Sequence, residues 1–200
     1  SDVMTTATAG DGGYTLNGEK VVVSNGVNAD HVIVSARTSG EQSDESGISL
    51  FMVPADAPGL EKLAYRLMDG QLVANLVLKD VQVPAANLVG DLDQGFGLIE
   101  AVVSDATIAL AAEAVGIMEQ LNAKTLEYTK TRKQFGVAIG SFQALQHRMV
   151  ETFMAYEQTK SLLYRAVCSI TDEKEDTATA VHALKVMLDR AGKLVFSEAI

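Results

Sequence analysis

Lys130-Thr131-Arg132-Lys133-Gln134-Phe135-Gly136 is the stretch on which the fold turns. The window from Lys124 to Lys133 holds four basic residues against Glu127 alone, in a 200-residue chain whose 16 Lys and Arg against 26 Asp and Glu leave a net charge of −10. Such a positive island has two readings. Cations can offset the C-terminal end of a helix dipole, with Gly136 ending the turn. An arginine in a loop also presents a planar fork of donors suited to a phosphate or pyrophosphate. Upstream, Leu98, Val102, Ala109, Ala112 and Gly116 recur at helical spacing in a stretch rich in Ala, Leu, Glu and Lys, which predicts a helix from about Gln94 to Tyr128. Downstream, a second helix follows Ser141, with Phe142, Leu145, Met149, Thr152 and Tyr156 near one stripe. The acidic run Asp172-Glu173-Lys174-Glu175-Asp176 reads as an exposed connection, and a third helix starts at Thr177. Three antiparallel helices with short links suggest part of an up-and-down bundle.

The other half differs in its punctuation. All three prolines and ten of the sixteen glycines lie in residues 1–90, so the helix breakers crowd one side of a boundary near Gly90. Short β-rich runs fill that side: Tyr14-Thr15-Leu16, Lys20-Val21-Val22-Val23-Ser24, His31–Ala36, Ile48–Val53, Leu76-Val77-Leu78 and Val81-Gln82-Val83. The pair Asn17-Gly18 predicts a type I′ hairpin turn. Ser39–Ser46 is polar and acidic and reads as a solvated loop between strands. The pattern predicts an α+β multidomain chain: an antiparallel β-barrel or sandwich over residues 1–90, then an incomplete up-and-down helical bundle over 91–200.

Composition excludes several classes. A chain with 48% hydrophobic residues can bury a core, and its negative charge argues against nucleic acid as a partner. The single cysteine, Cys168, cannot form an internal disulfide, which favours an intracellular setting. No metal-type Cys/His spacing occurs, and His31, His147 and His182 are scattered singly. Met149, Met154 and Met187 read as core filling. The longest apolar windows are cut by Ser104-Asp105 and by Glu113, so no membrane span is expected. The N-terminus lacks the regions of a secretory signal. Both ends read as cut.

The lettering Arg132-Lys133-Gln134-Phe135-Gly136, followed by Ile139, Phe142-Gln143 and Gln146, closely resembles the signature of the acyl-CoA dehydrogenase family of flavoproteins. Gly13–Lys20, continuing to Ser24-Asn25-Gly26, resembles the opening of that family's middle β-domain. Val81-Gln82-Val83-Pro84, Asn87-Leu88-Val89-Gly90 and Gly95-Phe96 resemble the exit from it into the first C-terminal helix. The pieces span nearly the whole chain in the family's order.

The resemblance implies an FAD cofactor lying between β-domain and helices and closed over by a neighbouring subunit. Arg132 would hold the pyrophosphate of the adjacent subunit's FAD, with Gln134, Phe135, Phe142 and Gln143 as further contacts. Val22, Val23 and Ser24 match the strand against the flavin ring, where Ser24 would offer donors; the family commonly has an aromatic residue where this sequence has Val22. The implied reaction oxidises an acyl-CoA to its 2,3-enoyl-CoA, with a carboxylate as base. In most members that base lies beyond the third helix, so no catalytic residue is assigned here and this stretch alone is expected to be inactive. Some members place it on the first helix, where this sequence has Ala106; Asp105 beside it points about 100° away, and Glu113 reads as a helix-face residue. Ser104 and Thr107 stand where the family usually has an Asp and an Arg toward CoA, and Ser1 matches a serine near the substrate's pantetheine arm.

By the same resemblance the expected partners are an acyl-CoA substrate, an electron-transfer flavoprotein as acceptor, and further copies in a homodimer or homotetramer, or a hetero-oligomer. The expected location is a bacterial-type cytoplasm. Two alternatives stand beside this reading: an acyl-CoA oxidase that passes electrons to oxygen, and a non-catalytic subunit of a heteromeric dehydrogenase, motivated by Ala106 and Thr107. Phe142–His147 look more like dehydrogenases for unusual or dicarboxylic acyl groups than like those for short-to-medium fatty acyl groups.

Overall fold

A computed structural model describes residues 1–171 and 176–199. Its contacts divide the chain into two compact units, Ser1–Glu100 and Ala101–Ile200.

The first unit is one hydrogen-bonded sheet of seven strands, β1 (Thr6–Gly10), β2 (Gly13–Ser24), β3 (His31–Arg37), β4 (Ile48–Pro54), β5 (Leu60–Arg66), β6 (Leu72–Pro84) and β7 (Leu88–Val89), in the order β5-β6-β2-β1-β3-β4-β7. Every pairing is antiparallel except β1 with β3, a single parallel register at Thr6 and Arg37, so the sheet is mixed. Strand alternation supplies the core: Val32, Val34 and Ala36 point inward from β3 while Ile33 stays exposed. Phe51 and Val53 of β4 meet Leu76, Leu78, Val81 and Val83 of β6 and Leu16 of β2 in one buried cluster. Tyr14 packs on Phe51 with ring centroids 4.9 Å apart.

The turn predicted at Asn17-Gly18 does not exist. β2 runs straight through it, and the hairpin with β1 closes earlier, at Asp11-Gly12, with Gly10 opposite Gly13. Both residues serve cross-strand packing instead. The Asn17 amide donates to Asp80 Oδ1 and its oxygen accepts from the Asp80 N–H. Gly18, at φ +140°, leaves room for Thr5, just before β1, because a Cβ there would stand 2.7 Å from Thr5 Cα. The two runs at 76–78 and 81–83 are one strand, β6, while β1 and β5 went unforeseen.

The Ser39–Ser46 loop is exposed, yet it is tied down. Arg37, buried at its root, donates to the carbonyls of Ser1, Gln42, Asp44 and Ser46. A second clasp fixes the approach to the helices. Asp93 Oδ1 accepts from Thr38 and Ser39, its N–H donates to Ser49 Oγ, and its carbonyl accepts from Gly47 N–H. Gln94 then bridges to Ile48. The first turn of the helix that follows thus makes its contacts with the sheet, inside the first of the two units.

The second unit is built on α1 (Gly95–Thr131), α2 (Gln143–Ser169) and α3 (Thr177–Glu198). Arg148 near the start of α2 pairs with Glu198 at the end of α3 at 3.0 Å, and Thr129 near the end of α1 donates to Met149 near the start of α2. The helices therefore run up, down and up. Ile108, Ala111, Val115 and Met118 of α1 join Ala155, Tyr156 and Leu163 of α2 and Val181, Leu184 and Val195 of α3 in the core. This is not the stripe read from the sequence: Leu98, Val102, Ala109, Ala112 and Gly116 are all exposed. α1 is apolar around most of its circumference, so periodicity cannot choose its inward face. For the same reason it is, by length and composition, a helix that could cross a membrane, which amends the expectation drawn from Ser104-Asp105 and Glu113. Met154 is exposed rather than core filling. Asp176 caps α3 by accepting from the N–H groups of Ala178 and Thr179; the rest of the predicted acidic connection, residues 172–175, lies outside the described residues.

Candidate functional site

The basic stretch forms the connection between α1 and α2. Lys133–Gln134 (β8) and Val137–Ala138 (β9) pair as a two-residue hairpin whose turn residues, Phe135 and Gly136, both take positive φ, +54° and +85°. That is the turn type whose twist matches a tight hairpin. Its base is anchored at both ends. Arg132 N–H donates to Tyr128 O, Ile139 N–H returns to Arg132 O, and Gly140 lies so close to α1 that a Cβ would stand 3.0 Å from Thr129 O. Ser141 Oγ donates to Ala138 O, and Gln146 Nε2 donates to Gly140 O.

On this frame Phe135 is 93% exposed and stands edge-on to Phe142, with centroids 6.4 Å apart. Arg132, Gln134 and Gln143 are also exposed. No acidic side chain among the described residues pairs with Arg132. α2 begins without a side-chain cap and without a carboxylate in its first turn, so its positive dipole end is uncompensated. A fork of donors, two exposed aromatic faces and a bare helix N-terminus on one connection suit an anion carrying a flat ring system. Arg132, Gln134, Phe135, Phe142 and Gln143, the residues singled out in the sequence, all lie on this connection and at the first residue of α2.

The second predicted group lies on β2. Between Lys20, opposite Leu76, and Val23, opposite Ala74, the register slips, so Val21 and Val22 together face Asn75. Val22 takes φ +53° and is 50% exposed. For a β-branched residue this conformation is a real outlier, worth about 1–3 kcal/mol of strain. Val22 N–H, deprived of a strand partner, donates to Asn75 Oδ1 at 3.1 Å, and Tyr65 OH donates to the same oxygen at 3.1 Å. Asn75 and Tyr65 were missed in the sequence. The available signal was an Asn inside an apolar strand, where Asn is depleted. Lys20 on the same strand is largely buried and donates to Ser35 Oγ; burial pushes its ammonium below the ordinary lysine range.

The remaining predicted residues do not converge on these two groups. Ser104 and Thr107 are half-buried on α1, where Thr107 Oγ1 donates back to Val103 O; Ala106 and Asp105 are exposed. Ser1 Oγ donates to Ser43 O. Among the described residues no cluster of three His, Cys, Asp or Glu could hold a metal.

Comparison with known proteins decides what this frame is. Residues 1–81 match the family model for the acyl-CoA dehydrogenase middle domain, and residues 93–200 match the model for the acyl-CoA dehydrogenase C-terminal domain. The chain belongs to the acyl-CoA dehydrogenase family. It is 34% identical over 193 residues to the short-chain specific acyl-CoA dehydrogenase of Megasphaera elsdenii, covering 95% of this chain and 50% of that one. The L-prolyl-[peptidyl-carrier protein] dehydrogenase of a Serratia strain is 30% identical, covering 94% of this chain and 49% of that protein. Among solved structures, one described as PigA with FAD and proline superposes with a TM-score of 0.93 at 30% identity, over 100% of this chain and 52% of the other. The chain thus spans about half the length of the curated relatives it matches. Acyl-CoA dehydrogenases depend on FAD, and the fold here, a β unit followed by helices, is theirs.

Proposed function

We propose that this chain is the flavin-facing half of an oxidoreductase that converts an acyl thioester, in the first instance an acyl-CoA, to its 2,3-enoyl form. When bound, FAD supplies the hydride acceptor. The observation that carries the reading is the anchored hairpin on which Arg132 meets no acidic side chain among the described residues and Phe135 stands almost fully exposed beside Phe142. Arg132 would grip the pyrophosphate of the FAD, the adjacent subunit's by the family resemblance, while Gln134, Phe135, Phe142 and Gln143 flank the dinucleotide. Val22, Val23 and Ser24 would back the ring, with the Ser24 hydroxyl and N–H as donors toward it. No base is assigned among the described residues: Ala106, where some members of the family carry it, has no group to accept a proton. A further copy of the chain, as dimer or tetramer, and an electron-transfer flavoprotein are the partners that fit this reading.

Replacing Arg132 by Ala in the full-length protein is expected to weaken FAD retention by roughly 10- to 100-fold, the worth of a charge-assisted hydrogen bond. Bound-flavin absorbance after gel filtration measures it. Unchanged flavin content would overturn the clamp.

A second acyl carrier is favoured by one observation. Ser104 and Thr107 offer no charge, and the Thr107 hydroxyl is engaged by its own helix, so these two positions give CoA no charged group to bind. A thioester on a carrier protein fits such a surface, and one of the similar proteins is named for such a substrate. Turnover with an acyl-CoA against the same acyl group on a carrier protein separates the two.

A further inference from the structure

We infer that Asn75, oriented by Tyr65, is the positioning residue that holds the Val22 bulge in the shape on which the flavin ring packs. The inference rests on the flavin reading above and adds two residues to it. Three adjacent strands build the device: Tyr65 on β5, Asn75 on β6 and Val22 on β2.

The argument begins with strain. A valine leaves the left-handed region unless its surroundings over-determine it, and strain of this kind concentrates where a surface must have one shape. Here the bulge puts two residues opposite Asn75, and the second of them loses its ladder partner. An N–H can only donate, so the Asn75 atom facing Val22 must be its oxygen, and the Tyr65 hydroxyl takes that oxygen's other lone pair. Both acceptor sites of Oδ1 are then filled, and the amide has one orientation. Its place matters because β2 resumes normal pairing immediately afterwards, with Val23 opposite Ala74 and Ser24 opposite Val73. A side chain at 75 that could not accept would let Val22 relax toward the extended region. Relaxation would turn Val23 and Ser24, the two residues expected to back the ring. A bulge needed for sheet closure alone would have no use for a tyrosine on the next strand to fix the amide.

The test compares Asn75→Leu, Asn75→Asp and Tyr65→Phe with the wild type in the full-length protein. FAD is titrated into apoprotein by fluorescence, and the absorption band shape is recorded at saturating FAD, where incompletely folded protein does not contribute. Asn75→Leu is expected to bind FAD about tenfold more weakly and to change the band shape, because the loss is that of one hydrogen bond and the geometry it holds. Asn75→Asp keeps an acceptor at the same place and restores both, and Tyr65→Phe lies between. Wild-type affinity and an unchanged spectrum in Asn75→Leu overturn the inference while leaving the flavin reading intact. A change in Asn75→Leu that Asn75→Asp does not reverse also overturns it. A wild type that binds no FAD overturns both.

Discussion

The sheet unit and the helical unit bury their apolar residues in opposite ways. In the sheet unit Leu16, Ile48, Phe51, Val53, Val73 and Val81 are all fully buried. α1, by contrast, contributes Ile108, Ala111, Val115 and Met118 to a core and leaves Val102, Val103, Leu110 and Ile117 open to solvent. α2 repeats the pattern, with Val150, Phe153 and Met154 exposed beside a groove of about 550 Å³ against α1. The sheet fills its core from its own strands and leaves Val21, Ile33, Met52 and Leu63 on its outer face, whereas the three helices leave apolar side chains open along both α1 and α2. Patches of that kind mark interaction or ligand-binding surfaces.

The largest effect is expected in the sheet. Phe51→Ala removes a fully buried ring from a core with no slack, so it should cost about 3–5 kcal/mol. Denaturant unfolding of the chain checks it, and a loss under about 1 kcal/mol would mean that the sheet core relaxes around cavities. The helical unit offers a sharper contrast within one element. Met118→Ala, on the inward face of α1, should cost about 2–5 kcal/mol, and Leu110→Ala, two turns earlier on the open face, should stay within about 0.5 kcal/mol. Equal costs would break the comparison, because they would show the open face already covered by a second copy; dilution would then lower the unfolding midpoint.

These contrasts also explain what the sequence could and could not reveal. The division into β-rich and helical halves was legible because all three Pro and ten of the sixteen Gly fall in one of them, and local propensity responds to that. The basic hairpin was legible as charge and lettering. Its shape was not, because Phe135 at positive φ is a choice imposed by the two-residue turn rather than by phenylalanine. Asn17-Gly18 misled for a related reason. Its letters favour a turn, but Asp80, 63 residues away, takes up the Asn17 side chain, and Thr5 needs the space beside Gly18. The Asn75 contact with Val22 spans 53 residues and depends on a bulge that no local pattern announces. The inward stripe of α1 stayed hidden because apolar residues surround most of that helix.

A smaller effect separates the units by pH. Burial lowers the Lys20 ammonium from 10.5, so between that lowered value and 10.5 the unfolded chain binds more protons than the folded one. Stability of the sheet unit should therefore rise with pH through this alkaline window. Lys20→Met should remove the slope and, despite losing the bond to Ser35, change stability near neutral pH by under about 1 kcal/mol. Unfolding midpoints measured from neutral to alkaline pH decide it; a slope unchanged in Lys20→Met would assign the proton to another group.

The smallest effect belongs to the helical unit and lies at the acid end of the pH range. The Asp176 carboxyl is held below its ordinary 3.8 by the hydroxyl of Thr179 and by the N–H groups of Thr179 and Ala178, all of which favour the ionised cap. A carboxyl depressed on folding stabilises above its unfolded value and loses that stabilisation as pH falls through the folded one. Acid should therefore fray the start of α3 before it touches the sheet. Asp176→Asn keeps an acceptor for the cap but cannot titrate, so it should leave neutral stability near that of the wild type and flatten the acid limb. Asp176→Ala should lower the midpoint at every pH above the titration. Helical ellipticity followed against pH distinguishes them, and an acid limb that persists in Asp176→Asn would place the sensitive carboxylate elsewhere. Either variant should leave the unfolding of the sheet unchanged, since its closed core shares no residue with the cap.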